Sequence, residues 1–175
     1  MTFHRFYSRG HNPIFFDRSS RGRLNSPNGS YGVLYAAEQT NGAFAETFLR
    51  SPGHRVLPKD LIQQRALVVL QSTRALHLVE LHGPGLSVLG ATAEVTASPP
   101  PYELPQAWSA ALHNHPNKFD GIAYRARHDN DETCYAFFDR SAPAISEVNR
   151  EEILLNAEWF DNLLDHYSVG IAPIA

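Results

Sequence analysis

The sequence lacks the features that mark several common classes of protein. Only one of its 175 residues is cysteine, Cys134, so we expect neither an intrachain disulfide nor a cluster of cysteine metal ligands. No apolar run approaches the roughly 18 residues that a membrane-spanning helix requires. The opening segment, MTFHRFYSRGHN, has no apolar core of a secretory signal. These absences predict a cytoplasmic protein that makes no contact with a membrane.

Charge is also scarce. Asp, Glu, Lys and Arg make up 19% of the chain, and the formal net charge is -3, which argues against direct binding of nucleic acid through a basic surface. Hydrophobic residues, by contrast, account for 43%, enough to build a folded core. At this length we expect a single domain over residues 1–175.

Several catalytic signatures are missing as well. The phosphate-binding patterns GxxxxGK[ST] and GxGxxG do not occur, and neither does the GxSxG elbow of serine hydrolases. His113-Asn114-His115 has the residue types of a metal or nuclease site, but no further ligands follow at a suitable spacing and Pro116 comes at once. We therefore expect no metal, and interpret this segment as a polar helix end. Ser109 is interpreted, from its position alone, as a hydroxyl on a helix face.

The pattern of apolar residues predicts a mixture of strands and helices. Strands are expected at Phe3–Ser8, Gly32–Ala37, Ala66–Gln71, Leu76–Leu81, Asp120–Ala126 and Thr133–Phe138. One helix is expected to be capped by Thr40 or Asn41 and to continue through Leu49, and others are expected over Gln106–His113, with Trp108, Ala111 and Leu112 inward, and Glu151–His166. Because the elements do not alternate strictly, the predicted class is α+β.

Three residues from different elements have chemistry that would fit one cleft. Arg23 lies in a turn-rich loop, Tyr35 on the next strand and Glu46 on the following helix. An arginine offers a planar fork of donors to phosphate, and a tyrosine ring can stack on a flat heterocycle. A carboxylate can stabilise positive charge at an anomeric carbon, as in glycoside cleavage.

Each of these residues also has a plain structural interpretation. Glu46 could be a solvated helix residue, although it is the one charge in an otherwise uncharged helix. Arg23, taken alone, fits a surface role better. For Arg5, on the first predicted strand, the commoner fate is a salt bridge on the strand face. Arg127 and its neighbour His128 lie in a predicted hairpin, a position compatible with substrate contact or with none.

The ordered blocks HRFYS, GRLNSPNGSYGVLYAAEQTNGAFAETFLR, WSAALHNHPNKFDGIAYRARHDND and CYAFFD together resemble the RES-domain family, over roughly residues 3–139. Proteins of that family are the toxins of bacterial toxin–antitoxin pairs whose partner is an Xre-like antitoxin. The resemblance implies a fold similar to ADP-ribosyltransferase toxins, with a split mixed β-sheet, flanking helices and a cleft for NAD. It also implies NAD as substrate, cleaved at the nicotinamide–ribose bond with water or phosphate as acceptor, and no separate cofactor.

The resemblance extends to individual residues. It implies catalytic roles for Glu46, Tyr35 and Arg23, and NAD-binding roles for Arg5, Ser109 and Arg127. Two positions depart from the family pattern. Leu24 replaces the usual aromatic residue after the loop arginine, and Ala126 stands where many relatives carry a serine.

Two other functions therefore stay open beside an NAD glycohydrolase or phosphorylase. Some relatives ADP-ribosylate a protein, so a protein ADP-ribosyltransferase is one alternative. Because Ala126 lacks the usual hydroxyl, an attenuated module that binds NAD is the other. The expected partners are NAD, a cognate Xre-like antitoxin and, as a further possibility, a second copy of the chain.

Overall fold

A computed structural model describes residues 1–51 and 53–172 of the chain. The strands are β1 (Thr2–Ser8), β2 (Val33–Ala37), β3 (Val56–Leu57), β4 (Arg65–Ser72), β5 (Leu78–Glu80), β6 (Gly121–Ala126), β7 (Asp129–Phe138), β8 (Ile145–Glu152) and β9 (Gly170–Ile171). The helices are α1 (Thr40–Phe48), α2 (Lys59–Gln63), α3 (Pro84–Leu89), α4 (Glu94–Ala97), α5 (Glu103–Asn114) and α6 (Glu158–His166), with a 3₁₀ helix over Asp139–Ala144. None of these helices in the described residues is both long and apolar enough to cross a membrane.

A mixed sheet organises the fold. In the described part of the chain it has seven strands in the order β5-β6-β7-β2-β1-β4-β8. Neighbouring strands run antiparallel except β5 and β6, which are parallel. A second, small sheet pairs β3 with β9 in parallel. The predicted α+β class, with a mixed sheet and flanking helices, is confirmed.

The two faces of the sheet bury separate apolar clusters, as the alternation of side chains along a strand requires. On β1, Phe6 joins the cluster that also contains Phe44 of α1 and Phe160 of α6. Phe3 and Tyr7 point the other way, into the second cluster. The helices α1 and α6 thus cover one face. The central strands are buried on both faces, which makes them a rigid platform.

Most predicted elements are present with shifted ends. Leu76–Leu81 shortens to β5, and the β6–β7 hairpin is tighter than predicted because Ala126 pairs with Asp129. The capping prediction for α1 is wrong: Gln39 is the N-cap residue and makes no side-chain capping bond. Instead the Gly42 amide in the first turn of α1 donates to Glu132 Oε2 at 3.2 Å, so a carboxylate from β7 satisfies a free helix amide.

The predicted helix over Glu151–His166 is half wrong. Residues 145–152 form β8, in which Glu151 and Glu152 pair with β4, and α6 begins only at Glu158. Leu154, which the spacing of a helix over residues 151–166 places on the buried side with Ile153, Ala157, Phe160 and Leu164, is 61% exposed. The physical reason is that β4 would have a free edge without β8, and the backbone pairing of β8 along that edge satisfies donors and acceptors that the local apolar pattern does not report.

The inward face of α5 also differs from the prediction. Leu112 is buried and Trp108 is half-buried as expected, but Ala111 is exposed. Ser109 is fully buried in its place. The prediction followed hydrophobicity, whereas this helix turns a polar side chain inward because that side chain finds partners there. The short elements β3, α2, α3, α4 and β9 were not predicted.

Candidate functional site

The sheet divides between β1 and β2. Within the residues described, the ladder joining them is a single pair, His4 with Ala37. On its other side β1 pairs with β4 over its whole length, and β2 pairs with β7. The two strands therefore diverge, and the split expected from the family resemblance is present; we call the region around this divergence the cleft.

Arg5 bridges this divergence. Its Nη1 donates to the Tyr35 carbonyl of β2 at 2.6 Å, so a side chain occupies the place where a strand would supply a donor. Within the described residues Arg5 forms no ion pair, which makes the salt-bridge alternative wrong. Burial, and next the charge of Arg65, lower the pKa of Arg5 to about 10. The guanidinium is therefore still charged at neutral pH.

The hydroxyl of Tyr35 anchors the loop that carries Arg23. It donates to Asn25 Oδ1 at 2.8 Å and accepts from the Leu24 amide, also at 2.8 Å. Gly22 is required at this point, because a Cβ there would lie 2.2 Å from Asn25 Oδ1 and 2.8 Å from the Tyr35 hydroxyl. Burial raises the pKa of Tyr35 far above its usual value, so the ring stays neutral.

Asn25 holds this loop from its other side. It is fully buried, and its Nδ2 donates to Asp17 Oδ2 at 3.0 Å and to the Ser19 carbonyl at 2.7 Å. Burial alone would raise the pKa of Asp17, but the hydrogen bonds from Ser19 and Asn25 lower it below the ordinary value. We call residues 19–25 the Arg23 loop.

The helix α5 clamps the same loop from behind. Gln106 Nε2 donates to the carbonyls of Ser20 and Gly22, at 2.7 and 3.1 Å. Ser109 Oγ donates to the Leu24 carbonyl at 2.6 Å, so it has no proton left for Tyr31, whose hydroxyl lies 2.8 Å away and must be the donor to Ser109. The structure thus places Ser109 behind the loop, fully buried and hydrogen-bonded to protein groups.

Arg23 itself is half-buried at the cleft. Its Nη1 donates to the Thr96 carbonyl of α4 at 2.6 Å. Its Nε is buried and has no hydrogen-bond partner among the residues described. A guanidinium held by one contact and left with free donors is suited to receive an anionic ligand.

Glu46 faces the cleft from α1. Its Oε1 accepts from the Arg127 amide in the β6–β7 turn at 2.8 Å, which fixes the carboxylate. Besides burial, the charge of Glu46 raises the pKa of Tyr35 and of Tyr124, whereas the charge of Arg23 lowers both. Both charges therefore lie near these two tyrosines, and the structure brings five of the predicted residues together in one region: Arg5, Arg23, Tyr35, Glu46 and Arg127.

Sequence reasoning missed several parts of this site. Asn25 lies in the same turn-rich segment as Arg23, and the only signal for it in the sequence was that asparagine is common in turns. Tyr124, whose ring is buried, stood in the block that contains Ala126 and Arg127. Gln106 had no sequence signal, because its partners lie more than 80 residues away. Ala126 is buried on β6 beside the turn that holds Glu46.

The histidines of the polar helix end serve packing. The His113 ring stacks on Tyr31 with centroids 4.0 Å apart and planes 9° apart. No group of three or more His, Cys, Asp or Glu in the described residues is arranged to hold a metal ion.

The fold agrees with what comparisons with known proteins find. The model of the RES domain matches residues 3–160, and the chain belongs to the RES-domain family. A similar solved structure is a chain of the M. tuberculosis MbcT–MbcA toxin–antitoxin complex, with a TM-score of 0.71 and 14% identity, covering 94% of this chain and 88% of that one. A sequence comparison with curated proteins gives no match. At this identity the structural likeness establishes the shared fold.

Proposed function

We propose that this protein is the toxin of a bacterial toxin–antitoxin pair and that it depletes NAD by cleaving the nicotinamide–ribose bond. The observation that carries the proposal is the Glu46 carboxylate, fixed at 2.8 Å by the Arg127 amide in a cleft that Arg5 and Arg23 make positive. Membership of the RES-domain family and the fold shared with a toxin–antitoxin complex support the same conclusion.

The chemistry of NAD explains why a carboxylate is needed. When the bond between ribose C1′ and the nicotinamide ring nitrogen breaks, its electron pair goes to the nitrogen. Nicotinamide leaves as a neutral molecule and needs no proton, while the positive charge passes to the ribose ring. A fixed carboxylate stabilises that charge without having to reorganise during the reaction. Glu46 has this role in our proposal.

The other residues bind and orient. Arg5 and Arg23 are placed to hold the pyrophosphate, or the carboxamide end, through charge-assisted hydrogen bonds. Because both hydrogen-bonding positions of the Tyr35 hydroxyl are occupied by the loop, Tyr35 acts through its ring, packed on nicotinamide, and by holding Arg23 in place. Arg127 contributes its backbone amide to Glu46 and lies at the edge of the NAD site. In this scheme Ser109 supports the Arg23 loop.

An oxygen of the acceptor then forms the new bond to C1′. Water as acceptor yields ADP-ribose and releases one proton, whereas phosphate yields a phosphorylated ADP-ribose. The test is NAD consumption by the purified protein with and without inorganic phosphate, followed by released nicotinamide. Release that accelerates with phosphate identifies a phosphorylase, and release without it identifies a glycohydrolase. Label transferred from NAD to protein would identify a protein ADP-ribosyltransferase instead, and absence of nicotinamide release would overturn the proposal.

The partner in this proposal is an Xre-like antitoxin. A free NAD-cleaving enzyme endangers its own cell, so a segment of the antitoxin is expected to enter or cover the cleft. Co-purification of the toxin with its antitoxin should suppress nicotinamide release, and release at the full rate from the complex would contradict this mode of control.

Ala126 favours a second candidate, an attenuated form that binds NAD but turns it over slowly. The residue is buried on β6, next to the amide that fixes Glu46. A serine at this place would add one hydrogen bond, worth about 0.5–1.5 kcal/mol. We therefore expect Ala126→Ser to accelerate nicotinamide release by roughly 2- to 12-fold. An unchanged rate would show that the missing hydroxyl does not limit this enzyme.

A further inference from the structure

Three arginines meet where β1 and β2 diverge. Arg5 lies on β1, Arg65 opens β4, and Arg50 follows α1. Each is held by a neutral acceptor: Arg5 by the Tyr35 carbonyl at 2.6 Å, Arg50 by the Glu46 carbonyl at 2.7 Å and Arg65 by the Ser8 hydroxyl. We call these three residues the arginine cluster.

The cluster has no paired counter-charge. Within the part of the chain that the structure describes, none of the three arginines forms an ion pair with a carboxylate. The Nε atoms of Arg5 and Arg65 are buried and have no hydrogen-bond partner among those residues. Unpaired buried charge is unfavourable, and a buried donor without a partner calls for an explanation.

The three charges are close enough to act on one another. After burial, the charge of Arg65 is the next cause that lowers the pKa of Arg5, and Arg50 adds to it, while the charge of Asp17, which forms no ion pair with Arg5, offsets part of the shift. Burial and then Arg50 lower the pKa of Arg65. The three like charges repel one another, and two of the arginines also have Nε donors without partners. One bound anion would reduce the repulsion and accept hydrogen bonds from these donors.

Other arginines of this protein are arranged differently. Arg9, Arg18, Arg74 and Arg150 each pair with a carboxylate within 2.8 Å. Arg125 also lacks an ion pair, but it is exposed and its charge is solvated, whereas the Nε atoms of Arg5 and Arg65 are buried. That contrast separates the cluster from ordinary surface ion pairs.

We infer that Arg5, Arg50 and Arg65 form a subsite for a phosphate oxyanion. Planar guanidinium groups match phosphate geometry, and the unpartnered Nε donors of Arg5 and Arg65 are available to it. Because Arg50 bonds the backbone of Glu46 itself, an anion bound here lies next to the reacting ribose. The inference rests on the proposed function for the source of the phosphate, which is either the pyrophosphate of NAD or free phosphate that serves as the acceptor.

The test uses Arg50→Gln and Arg65→Gln in the full chain. Arg125→Gln is the matched control: it removes the same charge from an exposed arginine that also bonds neutral groups, the Asp131 carbonyl at 2.9 Å and the Thr133 hydroxyl at 3.0 Å. Titration calorimetry measures the affinity of each protein for inorganic phosphate. The affinity for NAD is measured in a Glu46→Gln background, which we expect to slow turnover.

A loss of about tenfold or more in phosphate affinity, in both cluster variants and not in the control, supports the subsite. If NAD affinity then changes less than about twofold, the anion is free phosphate. If NAD affinity falls about tenfold as well and phosphate competes with NAD, the anion is the dinucleotide pyrophosphate. Either pattern supports the inference and names the source.

Cluster variants that bind both probes as well as Arg125→Gln does would overturn the inference. Wild-type protein that binds neither phosphate nor NAD would overturn it too. Should Arg65→Gln fail to fold, the exposed Arg50 still carries the test. If the wild type releases no nicotinamide but the cluster variants lose phosphate binding, the proposed function fails while the subsite stands.

Discussion

Two regions of the cleft treat polar groups in opposite ways. In the Arg23 loop and its supports, hydrogen bonds connect Asp17, Asn25, Tyr35 and Leu24 in series, and Ser109 and Gln106 add further bonds from α5. In the arginine cluster, by contrast, buried Nε atoms lack partners and no carboxylate pairs with the charges. Apart from the Nε of Arg23, the groups of the first region satisfy one another, whereas the buried Nε atoms of Arg5 and Arg65 in the second region have no partner among the described residues.

This difference separates positioning from binding. A buried network whose members are all paired fixes one geometry, so the loop can hold Arg23 without contributing much to ligand affinity itself. Unpaired cations raise the free energy of the empty site, and binding of an anion lowers it. Glu46 connects the two regions: besides burial, its charge raises the pKa of Tyr35 in the first region, and its carbonyl accepts a hydrogen bond from Arg50 of the arginine cluster.

The largest expected effect comes from Glu46→Gln, which removes the charge between the two regions and keeps the shape of the side chain. We expect nicotinamide release to fall about 100-fold or more, because stabilisation of the developing ribose charge is lost. Single-turnover assays with NAD measure this. Glu38→Gln, which alters an exposed glutamate just before α1, should retain the wild-type rate. Wild-type release by Glu46→Gln would make its catalytic assignment wrong.

Tyr35→Phe should break the fixed geometry of the loop region. It leaves the Leu24 amide and Asn25 Oδ1 without partners, at a cost of about 1–3 kcal/mol, and Tm should fall by roughly 2–4 °C for each kcal/mol. Thermal unfolding and kcat/KM for NAD are measured together, with Tyr102→Phe, the residue before α5, as control. A drop in kcat with unchanged Tm would show that the hydroxyl contacts the substrate instead.

Ser109→Ala sharpens the distinction between positioning and binding. Loss of the hydroxyl leaves the Leu24 carbonyl and the Tyr31 hydroxyl without this hydrogen-bond partner. We therefore expect destabilisation of about 1–2 kcal/mol with a small change in KM. Chemical denaturation and steady-state kinetics provide the two readouts, and Ser87→Ala on the exposed surface of α3 is the matched variant. A raised KM at full stability would instead support direct NAD binding by Ser109.

The smallest effect concerns Asp17 and acid. Because its pKa is lowered in the folded protein, the ionised side chain stabilises the fold above the ordinary aspartate pKa of about 4, and this contribution disappears as pH falls through the folded-state value. The stability difference between wild type and Asp17→Asn should therefore shrink from pH 7 to pH 3 in urea titrations. A difference that is constant with pH would show that the Asp17 charge has no part in holding Asn25.

Local patterns were sufficient for some parts of the molecule and not for others. The alternation in Phe3–Ser8 correctly predicted β1, and the residue types at Arg23, Tyr35 and Glu46 predicted a shared cleft that the fold does assemble. The prediction for residues 151–166 was partly wrong because apolar spacing that fits a helix also occurs in a segment whose first residues pair with the edge of the sheet. Ala111 was misplaced for a related reason, since hydrophobicity alone could not show that Ser109 had buried partners.

The sequence by itself determined most of the strand and helix types of the core, the absence of an intrachain disulfide and the residue types on which the proposal of dinucleotide binding rests. Only the tertiary structure decided what those residues do with their donors and acceptors. The Tyr35 hydroxyl bonds to Asn25, ten residues earlier in the chain. Ser109 bonds to Tyr31 and to Leu24, which are 78 and 85 residues away. Arg50 and Arg65 come from different segments to lie near Arg5. These contacts depend on how segments distant in sequence pack together. A local sequence pattern therefore cannot show which polar groups form hydrogen bonds and which charges stay unpaired.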